Sequence, residues 1–138
     1  METLYTASAI ALGDGRNGRI QSPDGHLDEP VRVPRELGGP GGATNPEQLF
    51  AAGYAACFHS ALKLVASRAN VNASGSEVAA DVSLHALPTG GYGLSAQLEV
   101  SLPEIDAATA EDLMARAHEI CPYSNATRGN IEVTLALA

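Results

Sequence analysis

Residues 45–69 read NPEQLFAAGYAACFHSALKLVASRA, and this stretch decides the fold. Asn45 is a residue type that caps helices, Pro46 suits the first helical position, and Gln48 lies three residues after the cap. Apolar residues then occur nearly all the way round the helical wheel, as in a helix that is buried on most sides. Gly53 is its one weak point. The sequence therefore predicts a buried helix over this whole stretch.

The segment before this helix is rich in turn-forming residues. Eight of the 14 glycines and four of the eight prolines fall between Gly13 and Gly42. Glycine and proline at this density favour short extended pieces joined by tight turns, and no helix is expected. The pattern predicts strands at residues 4–12, 18–22 and 31–33, a turn at residues 22–25 and a loop at residues 37–42.

The segment after the helix alternates between apolar and polar residues. This alternation predicts a hairpin of residues 78–86 and 94–102, joined by a turn at residues 88–91, with one face in water. Asp106 caps a second helix that Pro122 stops, and residues 131–137 form a last strand. The order of elements predicts an α+β fold.

Length and composition limit the possible functions. A chain of 138 residues, 45% of them hydrophobic, predicts a single globular domain covering residues 1–138. A net charge of -8 argues against nucleic acid and anionic membrane surfaces as partners. The near-apolar run of residues 49–58 is shorter than the roughly 20 residues that a membrane span needs, and the first residues lack a basic signal-peptide segment. We expect a cytoplasmic protein without membrane insertion.

The two cysteines, Cys57 and Cys121, are the residues on which the function depends. In a reducing compartment they are candidates for thiol chemistry, metal binding or core packing. A peroxide-reducing thiol needs a second thiol to condense with its sulfenic acid, and two cysteines are the minimum set. Such a site also needs a cation that holds the first sulfur as a thiolate, and the chain has only eight lysines and arginines to supply it.

Four segments carry a family resemblance: PRELGG at 34–39, NPEQLFAAGY at 45–54, ACF at 56–58 and CPYSNATRGN at 121–130. They resemble the organic hydroperoxide resistance (Ohr) branch of the Ohr/OsmC family, and the likeness covers nearly the whole chain in order. The resemblance implies an Ohr/OsmC-like fold, with antiparallel sheets around a buried central helix. It also implies an intertwined homodimer with two sites at the subunit interface.

The same resemblance implies an activity and assigns residues to it. The family reduces organic hydroperoxides, both alkyl and fatty-acid ones, to alcohols with a reactive cysteine. Cys57 matches the peroxidatic cysteine, and Cys121 matches the resolving cysteine that closes an intramolecular disulfide. Arg16 and Glu47 match the family's arginine and glutamate around the reactive sulfur. No bound cofactor is implied, and the usual reductant is a dihydrolipoyl group on a lipoylated protein.

The implied roles of Arg16 and Glu47 agree with elementary electrostatics. A guanidinium near Cys57 would lower the thiol pKa, and Glu47 would orient that guanidinium as a bidentate partner. However, Glu47 and Cys57 are ten residues apart, which is about 15 Å along one straight helix. Either the helix breaks near Gly53, or Arg16 and Glu47 come from a second subunit whose helix runs antiparallel. We favour the second interpretation.

Four apolar side chains are candidates for the substrate site. Leu49, Phe50, Tyr54 and Phe58 would line an apolar mouth that prefers bulky alkyl hydroperoxides to hydrogen peroxide. Ordinary core packing would explain the same residues. A non-catalytic alternative is also open, in which this pocket binds a lipid and the thiols only sense oxidation.

Two other kinds of site compete with the peroxidase hypothesis. His118 and Cys121 are spaced i, i+3 on one helix, and Cys57 would complete a three-ligand metal site. A cysteine hydrolase would instead use His59 as its base. That ring lies two residues after Cys57, about 200° away around a helix, which disfavours the pairing.

Overall fold

The computed structural model describes all 138 residues, which divide into two compact units, Met1–Leu49 and Phe50–Ala138. Each unit contains one three-stranded sheet. Three α-helices accompany the sheets, and the longest of them begins in the first unit and ends in the second. The predicted α+β class is confirmed.

The first unit is built on a small antiparallel sheet. Its strands are β1 (Ile10–Leu12), β2 (Arg19–Gln21) and β3 (Asp28–Pro30), and β2 lies in the middle. The predicted turn between β2 and β3 is present, because the Gly25 amide donates to the Ser22 carbonyl at 3.1 Å. Gly25 has a φ of +77°, which only glycine adopts without strain.

Three details of the first unit differ from the prediction. β1 covers only the end of the predicted strand 4–12, because its partner β2 is three residues long. The strand predicted at 31–33 is wrong: β3 ends before it, and Val31 makes a single bridge to Thr44. Two single-turn 3-10 helices, Gly15–Asn17 and Arg35–Leu37, occur where no helix was predicted.

The central helix α1 spans Pro46–Arg68 and is unbroken at Gly53. It begins as predicted, since the Asn45 Oδ1 accepts the Gln48 amide at 2.9 Å. The Gln48 side chain bonds to the Thr44 hydroxyl at 2.7 Å, so it does not complete the capping box. The predicted end is correct to within one residue.

Burial of α1 is one-sided. Its buried residues belong to the core of the second unit, but Ala52, Ala56 and Leu64 are exposed. In the single chain the helix is therefore buried on one side, because the second unit packs against that side only. By length and mean hydropathy α1 could cross a membrane, a test that the core helix of a soluble protein also passes. The buried members of α1 are Tyr54, Phe58, Ala61, Leu62, Val65 and Ala66.

The second unit contains the predicted hairpin. β4 (Glu77–Ala86) and β5 (Tyr92–Ser101) pair in antiparallel register from Glu77 opposite Ser101 to Ala86 opposite Tyr92. The two strands meet at the predicted turn, where the Leu87 amide donates to the Gly91 carbonyl at 2.9 Å. Alternate residues of β5 are buried, as the period-2 pattern requires.

Helices α2 (Ala107–Ile120) and α3 (Pro122–Thr127) connect the hairpin to β6 (Val133–Leu137). Asp106 caps α2 as predicted, through the Thr109 amide at 3.0 Å. α3 was missed, because Pro122 stops one helix and also begins the next. β6 pairs parallel to β5, so three of the four strand pairings are antiparallel and this one is not. A two-helix crossover is long enough to allow it.

Candidate active site

The two thiols lie in contact. Cys57 is half-buried on α1, and Cys121 is fully buried between α2 and α3. Both are free, and their sulfur atoms are 3.6 Å apart although 64 residues separate them in sequence. A disulfide needs about 2.05 Å, so closing the bond requires a shortening of about 1.5 Å. The structure thus brings together the two cysteines that the sequence singled out.

The backbone holds Cys121 at a sharp corner. Its amide donates to the Ala117 carbonyl at 2.9 Å, and its carbonyl accepts the Asn125 amide at 2.9 Å. The residue itself is extended, with φ -64° and ψ 123°. Pro122 imposes this conformation, because a proline ring disfavours helical angles in the residue before it. The Cys-Pro dipeptide therefore ends α2, begins α3 and fixes the Cα–Cβ direction of the buried thiol.

The surroundings of Cys57 in one chain do not activate it. Burial raises the pKa of the Cys57 thiol, the Tyr123 backbone amide lowers it through a hydrogen bond, and the Cys121 thiol raises it. Burial dominates, and the net shift is upward. None of the groups that shift this pKa is a cation. The thiolate expected from the sequence therefore needs a positive charge from elsewhere.

Arg16 and Glu47 form the expected bidentate ion pair within the first unit. Arg16 Nη1 and Nη2 donate to the two carboxylate oxygens of Glu47 at 2.8 and 2.6 Å. Hydrogen bonding to Arg16 lowers the pKa of Glu47, and the same bonds raise the pKa of Arg16. The Arg16 side chain is 44% exposed, against 14% for Glu47. Arg16 therefore keeps a solvent-accessible guanidinium face while Glu47 fixes its orientation.

The continuity of α1 tests one of the two geometries considered for this pair. Glu47 and Cys57 lie on one unbroken helix, whose rise separates them by about 15 Å. A helix break near Gly53 was one of the two possibilities, and it is wrong. The other possibility, that Arg16 and Glu47 come from a second subunit, stays a prediction.

An apolar cavity of about 760 Å³ lies in the second unit. Of the four predicted substrate-binding residues, only Phe50 lines it. Tyr54 and Phe58 are fully buried in the core, and Leu49 belongs to the first unit. Sequence reasoning missed the other apolar lining residues, since an alternating strand pattern does not reveal which residues end beside a cavity. They include Leu87, Tyr92, Leu94, Tyr123 and Ile131.

Tyr123 connects this cavity to the reactive thiol. Its ring lines the cavity, and its backbone amide lowers the pKa of Cys57. The ring packs at 6.0 Å from Phe50 and lies over Gly53, where a Cβ would come within 2.8 Å of the Tyr123 hydroxyl. The weak point of the helix is thus the position that allows Tyr123 to approach.

A buried hydrogen-bonded group adjoins Cys121. The Tyr54 hydroxyl is 2.9 Å from the Ser124 hydroxyl and 3.2 Å from that of Thr127. Ser124 also contacts His118 Nδ1 at 2.8 Å. No buried side-chain polar atom of the chain lacks a partner. The sequence analysis missed this group. Its only trace in the sequence is the spacing of Tyr54 from Cys57 and of Ser124 from Cys121.

The histidines of the two competing hypotheses are each hydrogen-bonded to a serine hydroxyl. His118 bonds to Ser124, and burial followed by the charge of Arg128 lowers its pKa. No three His, Cys, Asp or Glu side chains lie close enough together to hold a metal ion. His59 Nε2 bonds to the Ser76 hydroxyl at 2.9 Å. The geometry therefore gives neither the metal site nor the hydrolase a supporting contact.

Comparison with known proteins gives consistent matches. The family model described as OsmC-like protein matches residues 39–136. The organic hydroperoxide resistance protein of Xanthomonas axonopodis pv. citri is 53% identical over 140 residues, which cover 99% of this chain and 96% of that protein. A crystal structure of an organic hydroperoxide resistance protein from Legionella pneumophila matches with a TM-score of 0.95 at 49% identity, over 99% of both chains. The OhrB structure from Bacillus subtilis matches with a TM-score of 0.90 at 45% identity, over 99% of this chain and 100% of that one.

Proposed function

The chain belongs to the OsmC-like family and to its organic hydroperoxide resistance branch, and from this we propose that it is a thiol peroxidase for organic hydroperoxides. The observation that carries the proposal is the contact between Cys57 and Cys121, 3.6 Å apart in the reduced chain. A half-exposed thiol next to a buried one is the arrangement that a two-step thiol peroxidase needs.

The exposure of the two thiols sets the order of the reaction. Cys57 has the accessible sulfur, so its thiolate attacks the terminal peroxide oxygen. The O–O bond breaks, Cys57 becomes a sulfenic acid, and the leaving alkoxide takes a proton to become the alcohol. Cys121 then attacks the sulfenic sulfur, water leaves, and a disulfide forms. A dithiol such as the dihydrolipoyl group of a lipoylated protein exchanges with this disulfide and restores both thiols.

We infer that the active form is an intertwined homodimer of single-domain chains in which the partner supplies Arg16 and Glu47. Burial raises the pKa of Cys57 in one chain, and an oriented guanidinium is the group that would reverse this shift. Apolar surface is also exposed in each unit, at Ile10 in the first and at Tyr92 in the second. Subunit association would bury such surface.

The cavity supports a preference for bulky organic peroxides. Its lining is largely apolar, and Tyr123, which lines it, is also the residue whose backbone amide lowers the pKa of Cys57. Burying an alkyl or fatty-acid chain there contributes binding energy that hydrogen peroxide cannot gain. We place the reaction in the cytoplasm, where thiols are kept reduced.

Catalytic turnover tests this proposal. Cumene hydroperoxide consumption is followed with dihydrolipoamide in excess, for the unaltered protein and for Cys57→Ser and Cys121→Ser. We expect many turnovers for the unaltered protein, none for Cys57→Ser, and a single turnover followed by over-oxidation of Cys57 for Cys121→Ser. Full activity of Cys57→Ser would refute the proposal. A single oxidation event without turnover in the unaltered protein would favour the lipid-binding redox sensor.

A further inference from the structure

The buried hydroxyl group next to Cys121 has no role in the reaction steps above. We call it the Ser124 cluster, and its members are Tyr54, His118, Ser124 and Thr127. Tyr54 and Ser124 have no exposed surface, whereas His118 is partly exposed and Thr127 also lines the cavity. A polar contact buried in this way needs a structural reason, because Tyr54 and Ser124 lose their hydration when the chain folds.

The cluster joins the same two chain segments that the thiol contact joins. Tyr54 lies three residues before Cys57 on α1, and Ser124 lies three residues after Cys121. Tyr54 and Cys57 lie on the same face of α1, because residues three apart in a helix do so, and Ser124 lies in the first turn of α3. One segment is therefore joined to the other at two points, by the thiol contact of 3.6 Å and by the hydroxyl contact of 2.9 Å. The hydroxyl contact therefore joins the same two segments that carry the two sulfurs.

The cluster also fixes the α2–α3 corner that carries Cys121. His118 before the corner bonds to Ser124 after it at 2.8 Å. Arg128 adds a second link, since Nη2 donates to the His118 carbonyl and Nη1 to Asn125 Oδ1, both at 2.6 Å. The two bonds made by His118 cross Cys121 and link α2 to the segment after the corner.

We propose that Tyr54 and Ser124 are positioning residues that favour disulfide formation over further oxidation of Cys57, an inference that rests on the function proposed above. The sulfenic acid on Cys57 has two fates. Cys121 captures it by forming the S–S bond, as the S–O bond breaks and hydroxide leaves with the Cys121 proton as water. Alternatively, a second hydroperoxide oxidises it to the sulfinic acid and is itself reduced to the alcohol.

The hydroxyl contact influences only the first of these fates. Capture requires the Cys121 sulfur to stay in contact with Cys57, whereas attack by peroxide requires only an accessible sulfenate. A directional hydrogen bond inside the protein has one favoured geometry, and apolar packing at the same place would leave the corner freer to shift. Because Tyr54 is fully buried, it joins the corner to the core of the second unit.

The test measures how oxidised Cys57 divides between the two products. Reduced Ser124→Ala protein is mixed with excess cumene hydroperoxide, quenched at successive times, and analysed by mass spectrometry for disulfide and for Cys57 sulfinic acid. We expect the disulfide-to-sulfinic ratio to fall by about fivefold to tenfold, the factor that loss of one such hydrogen bond produces in a local equilibrium. The rate at which the Cys57 thiol first disappears should stay that of the unaltered protein.

A matched control is available in the same unit. Ser76→Ala also removes a serine hydroxyl from a histidine ring, that of His59 at 2.9 Å, but leaves the Ser124 cluster intact. Its product ratio should equal that of the unaltered protein. Tyr54→Phe is the second variant, and it carries the test if Ser124→Ala does not fold.

The outcomes separate this inference from the proposed function. An unchanged ratio in folded Ser124→Ala, or in Tyr54→Phe where that variant carries the test, would overturn the positioning role. A parallel loss of ratio in Ser76→Ala would also overturn it, because it would reflect general destabilisation. If Cys57 of the unaltered protein does not react with the peroxide at all, the proposed function itself fails.

Discussion

Oxidation of the two cysteines should stabilise the folded chain by a predictable amount. The Cys57–Cys121 bond would close a loop across 64 residues of sequence. Such a cross-link lowers the chain entropy of the unfolded state, which adds about 4 kcal/mol to the free energy of unfolding. The reduced sulfurs are already 3.6 Å apart, so the native structure needs little rearrangement to accept the bond.

Part of that stabilisation is offset by strain. The sulfurs must approach by a further 1.5 Å or so, and Pro122 restrains the backbone on the Cys121 side. We therefore expect a net gain of about 3 kcal/mol in the free energy of unfolding, within the usual range for a native disulfide. At about 2 kcal/mol/M for urea, this raises the unfolding midpoint by about 1.5 M.

The assay is equilibrium urea unfolding of fully reduced and fully oxidised protein, with the disulfide mapped by mass spectrometry. Both forms are compared at one protein concentration, because the stability of an associating protein depends on concentration. Cys121→Ser treated with the same oxidant is the control and should show no gain. A fully formed disulfide with an equal or lower midpoint would refute the reasoning, since the native structure would then not hold the two sulfurs in bonding geometry.

Three further substitutions test the roles of individual residues. Glu47→Gln removes the ion pair with Arg16, which lowers the pKa of Glu47 in the folded chain. The pair therefore contributes at most about 1 kcal/mol to the free energy of unfolding above pH 4.5. This contribution disappears as the pH falls through the lower pKa of the folded state. Urea unfolding across pH should show this difference shrink in acid. Gly53→Ala should displace the Tyr123 ring and raise the KM for cumene hydroperoxide, while better helix propensity, worth about 1 kcal/mol, maintains stability. Phe58→Ala should cost about 3 to 5 kcal/mol in urea unfolding, because its side chain is fully buried in the core.

Each of these has a result that contradicts it. A stability difference for Glu47→Gln that stays constant as the pH falls would mean that the ion pair with Arg16 does not contribute to stability. An unchanged KM in Gly53→Ala would mean that Tyr123 does not shape the substrate site. Less than about 1 kcal/mol lost in Phe58→Ala would be incompatible with a fully buried ring.

Local interactions account for the parts of the fold that the sequence predicts well. The caps at Asn45 and Asp106 act within three residues, and the glycines of the hairpin turn are enough to predict it. The length of β1 depends instead on its partner strand, which a pattern within residues 4–12 cannot reveal. α3 escaped prediction because proline both ends and begins helices.

In the candidate site, too, the sequence predicts local features and misses those that depend on residues distant in sequence. The cysteines and the Arg16–Glu47 pair carry recognisable sequence signatures, and each pair lies in contact. Tyr54 was predicted to bind substrate, because the helical spacing of an aromatic residue does not distinguish a pocket from a core. Its hydroxyl partner lies 70 residues away. The raised pKa of Cys57 arises from burial, which depends on residues distant in sequence.

The most direct test of the central claim is the first oxidation product of Cys57. Reduced protein is mixed with one equivalent of cumene hydroperoxide, and in parallel with one equivalent of hydrogen peroxide, then quenched rapidly and mapped by mass spectrometry. We predict the loss of two hydrogens through a bridge between Cys57 and Cys121, formed faster with the organic peroxide. Two unchanged free thiols after exposure to the organic peroxide would contradict the account.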